Sequence, residues 1–220
     1  MIVALLFLAA ATLSIAQKEF PGLTSELGAA RQSYLRGKFD EALATLDRDK
    51  LSGSTMELLD LRGCIYMEQG KFDEAAKSFE AGHISNFNSF APRIHFADVL
   101  LREKKFQDAR KEYEKLSNDV KSPMWPEYAR FGVLLACLGE HDDAGARQTL
   151  ATIVFPTETP AYYYAQAVSS FAHGKKSDAL KWISTAKTIF DAGKTTWFDR
   201  GLYQFGWLKK KPAPSLDPFY

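Results

Sequence analysis

Apolar positions along most of this chain fall in runs of helical length and spacing, separated by short polar turns. No run alternates with period two for long enough to make a sheet. The pattern predicts helix pairs at 24–36 and 39–50, 56–69 and 72–84, 91–103 and 106–118, 125–138 and 141–153, and 160–173 and 176–190. A further helix is predicted after Gly193, over Thr195 to Lys209. There Phe198, Leu202 and Phe205 share a face, with Trp197 and Leu208 at its margins. Gly193 reads as the C-cap of the helix before it. Pro212, Pro214 and Pro218 make residues 210–220 an extended tail.

The pairs are copies of one another. Gly37-Lys38-Phe39-Asp40-Glu41-Ala42 returns as Gly70-Lys71-Phe72-Asp73-Glu74-Ala75, and looser copies end at Ala109, Ala144 and Ala179. The alanines stand 33, 34, 35 and 35 residues apart. Twelve residues before each lies a second small residue: Ala30, Gly63, Ala97, Gly132 and Ala167. Two such columns mark where antiparallel helices cross most closely, because a larger side chain there overpacks the contact by about 1–3 kcal/mol. Between the columns, four of the five copies carry a glycine (Gly37, Gly70, Gly139, Gly174) where the chain must turn with positive φ. The acids after it oppose the positive end of the next helix dipole. Ser54 with Glu57 reads as a capping box, and Thr159-Pro160 as a helix start.

This grid resembles the tetratricopeptide repeat family over residues 23–192. Copies two and four carry it best, with Gly63, Tyr66, Gly70, Ala75 and Phe79 in one and Gly132, Gly139, Ala144 and Pro156 in the other. The family's early Trp is missing from most copies; Leu59, Tyr128 and Tyr163 fill that place in three. The resemblance implies an all-α, right-handed solenoid of about five repeats (23–55, 56–89, 90–124, 125–159 and 160–192) closed by a capping helix at 193–209. It also implies a concave face built from the first helix of each pair. On that face the family's frame places Arg31, Asp60, Asp98, Arg102, Val133, Tyr164, Val168 and Phe171 as binding-groove residues, a series running from charged to apolar. Tyr164, Val168 and Phe171 could equally pack against the cap. The positions of the family's carboxylate clamp hold Leu27, Arg31, Cys64, Ala91 and His95, so that clamp is not present. The implied partner is an unidentified protein or peptide.

Composition adds bounds. With 28 basic and 27 acidic residues in 220, a net charge of +1 offers no global field for nucleic acid or an anionic membrane. Met1 to Ala16 is uncharged and ends Ser14-Ile15-Ala16 before Gln17-Lys18-Glu19, a secretory signal pattern without a basic start. Export to a periplasm or medium is therefore expected, with an uncleaved anchor as the alternative. Cys64 and Cys137 fall in first helices two repeats apart, too far for a disulfide. None of His83, His95, His141 and His173 belongs to a His-Glu-x-x-His motif or neighbours a Cys-x-x-Cys, and there is no Gly-x-Ser-x-Gly. Gly193-Lys194-Thr195 ends like a phosphate loop, but Thr188 stands where the first glycine belongs. No cofactor, metal or catalytic residue is expected. The expected function is a non-catalytic protein-binding scaffold. A module self-assembling through Trp207, Phe219 and Tyr220, or an enzyme with an unfamiliar groove site, are the alternatives.

Overall fold

A computed structural model describes residues 26–48, 55–118 and 124–216. The signal-like segment 1–16, Ser54, Phe219 and Tyr220 lie outside the described residues. Within them are eleven helices and no strand: α1 (Glu26–Leu35), α2 (Phe39–Arg48), α3 (Met56–Glu68), α4 (Phe72–Ser85), α5 (Ala91–Arg102), α6 (Phe106–Ser117), α7 (Met124–Gly139), α8 (Asp143–Thr152), α9 (Ala161–Ala172), α10 (Lys176–Ile189) and α11 (Ala192–Gln204). The boundaries of the ten paired helices agree with the sequence pattern to within two residues.

Each pair reverses through the same turn. The N–H of Lys38, Lys71, Lys105, Asp142 and Lys175 donates to the C=O of Ser33, Tyr66, Leu100, Cys137 and Ser170 respectively. This ending needs a left-handed residue one step earlier. Gly37, Gly70 and Gly174 supply it at φ +71°, +75° and +72°. In the other two pairs Lys104 and His141 adopt φ 61° and 59°. Gly139 is thus not the turn residue the sequence suggests. It ends α7, where an added Cβ would collide with the Phe106 ring. The fourth copy is shifted by two as a result. Its buried alanine is Ala146, five residues beyond the left-handed position as in every other pair, while Ala144 is exposed.

The first small column does pack as its residue types require. Ala30, Ala97 and Ala167 are fully buried. A Cβ on Gly63 would stand 2.5 Å from Phe79, and one on Gly132 2.6 Å from Tyr113. Thr55, rather than Ser54, caps α3, accepting from Leu58 N–H. Besides pairing with its successor, each first helix touches the first helix of the next pair, from α1 to α3, α5, α7 and α9. These five form a continuous inner row. Cys64 and Cys137 are buried free thiols.

The chain end departs from the simple stack. Gly193 sits in the first turn of α11, not at the end of α10, because Asp191 caps α11 by accepting from Lys194 N–H. α11 then lies along the inner row instead of over the last pair alone.

Candidate binding groove

α11 carries Trp197, Phe198 and Leu202 at 2% exposure or less. Burying each contributes about 1.5–3 kcal/mol. Gly201 lets the helix approach α7 closely, since a Cβ there would fall 2.6 Å from Leu135. The Gln204 amide donates to the Leu101 carbonyl at the end of α5. Beyond Gly206 (φ +73°) the chain turns back toward the N-terminal repeats. Lys211 Nζ reaches Glu68 on α3 at 3.0 Å, Tyr34 Oη on α1 donates to Ser215 O, and Trp197 Nε1 donates to Leu216 O at 3.0 Å. The C-terminal segment thus spans the inner row from α9 to α1.

Its early contacts are polar and buried. His95 Nδ1 lies 2.8 Å from Asp60 Oδ1 and 3.8 Å from Cys64 Sγ, and its ring stacks on Trp197 at 4.8 Å. Burial would lower the His95 pKa, but the Asp60 carboxylate and the neighbouring thiol hold it well above the ordinary histidine range. Burial pushes the Cys64 thiol up, which makes it a poor nucleophile. Asp60, Cys64 and His95 bring three potential metal-ligand atoms within 4.8 Å of one another. Their contacts with each other are those of an ion pair beside a thiol. Glu68, 2% exposed at its side chain, faces Arg200 at 3.6 Å, Arg102 at 3.8 Å and Lys211. Burial would raise its pKa, yet these three cations, Arg200 foremost, hold it below the usual carboxylate range. Asp98 accepts from Tyr113 and Tyr128. Burial nevertheless raises its carboxyl pKa.

The late contacts are aromatic. Phe198 meets Tyr128 at 5.2 Å, Phe131 at 5.0 Å and Tyr164 at 5.2 Å between centroids. Tyr164 Oη donates to Asp199 at 2.7 Å, and Asp199 in turn pairs with Lys187. Phe171 stacks on Trp207 at 5.4 Å.

Helix pairs joined by one recurring turn, with small residues at the crossings and first helices in a row, define the architecture. Residues 23–91 match the family model of the tetratricopeptide repeat-like domain. The fold is a solenoid of helix pairs, and over residues 23–91 it is tetratricopeptide repeat-like. The structure of Pseudomonas aeruginosa PilF superimposes with a TM-score of 0.55 at 13% identity, covering 83% of this chain and 87% of that one. Two MamA structures are also similar. One, a mutant, has a TM-score of 0.48 at 14% identity over 75% of this chain and 95% of its own; the other, MamA MSR-1, has 0.49 at 15% over 80% and 95%. A search of curated protein sequences finds no match.

The solenoid places the groove residues named from sequence as follows. Asp60, Asp98, Val133, Tyr164 and Val168 are buried on the inner row, and Arg102 and Phe171 are partly so. α11 and the segment after it cover Tyr164 and Phe171 directly and face Asp98 and Arg102. Arg31 is half-buried on α1. Trp207, named as a self-association residue, is stacked between Phe171 and Phe205. What sequence reading missed is the other side of the groove: Trp197, Phe198, Asp199, Arg200 and Gln204. Their signal was an aromatic pair followed by charges inside a helix otherwise read as a cap.

Proposed function

We propose that the solenoid is a non-catalytic scaffold that binds a helical segment of another protein along its inner row, and that it acts outside the cytoplasm. The observation carrying the binding role is that this face already holds an amphipathic helix, α11, by an aromatic pair, an arginine and a glutamine. That is how a groove takes a partner helix. Arg31, Asp60, Asp98, Arg102, Val133, Tyr164, Val168 and Phe171 are the receiving side, and α11 is the template for the ligand. The tetratricopeptide repeat-like fold, typical of proteins that mediate protein interactions, supports the same reading. The signal-like pattern of Met1 to Ala16 supports export.

The test uses the full chain. A labelled peptide of residues 190–216 is titrated into the wild type and into a Trp197→Ala/Phe198→Ala double variant. Saturable binding to the variant, with none to the wild type, is expected. If a folded variant refuses the peptide, the inner row is not a helix-receiving groove.

A further inference from the structure

A cavity of about 290 Å³ opens where α3, α5, α11 and the C-terminal segment meet. Its charged lining is Glu68, Arg102, Arg200 and Lys211, with the Gln204 amide beside them, and Phe72 and Tyr203 form part of its wall. Three permanent cations against one carboxylate leave a net charge of +2. The carboxylate does not satisfy the guanidinium groups. Glu68 Oε1 stands 3.6 Å from Arg200 and 3.8 Å from Arg102, beyond good hydrogen-bond length.

Other acceptors are nearer but still long. Arg200 Nη2 reaches Tyr34 Oη and Ser215 O only at 3.5 Å, and Arg102 Nη1 reaches Met67 O at 3.3 Å. Arg200 is 8% exposed, yet its Nε and Nη1 have no hydrogen-bond partner among the described residues. A buried guanidinium with idle donors is expensive unless an acceptor completes it. Arginine's planar fork suits an oxyanion in particular. The cavity volume is at the small end of the range for ligand pockets.

We propose that this cavity binds a small oxyanion, a carboxylate or phosphate carried on a short apolar body, held between Arg102, Arg200 and Lys211. The oxyanion neutralises the surplus charge at the cavity wall, while the body lies against Phe72 and Tyr203. Arg200 belongs to α11, Lys211 to the segment after it and Arg102 to α5, so the bound anion ties the chain end to the repeats. The site exists only while α11 lies on the inner row, so a partner helix that displaces α11 dismantles it.

Calorimetric titration of the full chain at fixed ionic strength tests it, with phenylacetate, phenyl phosphate and uncharged phenylacetamide as probes. Saturable one-to-one binding of either anion, with the amide inert, is the expected result. The tighter of the two identifies carboxylate or phosphate as the preferred group. Lys211→Ala and Arg102→Gln should each weaken that anion about tenfold or more, as loss of a charge-assisted hydrogen bond does. Lys210→Ala, which removes the same charge from an exposed neighbour, should leave it unchanged, and Lys211→Arg should restore binding. The idea is overturned if neither anion saturates, if the amide binds as well, or if folded Lys211→Ala and Arg102→Gln proteins bind like the wild type. Water alone then occupies the cavity.

Discussion

The two halves of the groove hold the same helix by opposite means. Around α3 and α5 the contacts are charged or titratable groups taken out of water: His95 on Asp60, and Glu68 among Arg102, Arg200 and Lys211. Around α7 and α9 they are rings packed on Phe198, Tyr128 edge to face and Phe131 and Tyr164 tilted. Ring packing is non-directional in charge and indifferent to pH. A buried ion cluster adds little net stability, but losing one member is severe because the others are left uncompensated. The late half should therefore supply most of the holding energy, and the early half the register and sensitivity to conditions.

The largest effect should come from the late half. Phe198→Ala removes a ring at 0% exposure and should cost about 3–5 kcal/mol in denaturant unfolding, equally at every pH. Next comes the early half. Glu68→Gln strips the charge from the middle of three cations and should cost about 3 kcal/mol near neutrality. If instead it is neutral while Phe198→Ala is severe, the ion cluster is incidental.

pH separates the halves more sharply. Glu68 has a folded pKa below its unfolded value near 4.3, so its contribution is full above about pH 4.3 and falls away on further acidification. His95 has a raised folded pKa. Its contribution is full below about pH 6.5 and declines as pH rises toward the elevated value. The melting temperature should thus peak between those two pH values. Asp98, raised by burial, works against Glu68 on the acid side. The comparison that isolates Glu68 is therefore wild type against Glu68→Gln, whose acid limb should flatten. A His95→Gln variant should lose the alkaline limb. The smallest effect expected is for Tyr164→Phe, which deletes one hydrogen bond to Asp199 and should cost about 1 kcal/mol.

The repeats were legible because their physics is local. A left-handed turn, a small crossing residue and acids in a first turn are each written within about a dozen positions. The fourth pair shows the limit. Gly139 looked like the turn glycine, but the left-handed residue is His141, and only the contact with Phe106 explains why a glycine stands at 139. The groove residues could be named from the family's frame, with their drift from charged to apolar. What covers them could not. The partners of Trp197 and Arg200 lie a hundred or more residues away in some cases, as with Tyr34 and His95, and no periodicity within α11 encodes which surface it will meet. The spacing of Phe198 and Leu202 shows its apolar face, but the sequence pattern reads the helix as a cap on the open end of the stack.

The return of the C-terminal segment along the inner row also acts as a ruler. Trp207 must meet Phe171, Gln204 the end of α5, Lys211 the end of α3 and Ser215 the ring hydroxyl on α1. These marks are set by the pitch of the stack. An array one repeat longer or shorter could satisfy the marks at one end only. Solenoids elsewhere can grow by duplicating a unit; in this one, the number of units and the sequence of residues 192–216 have to change together.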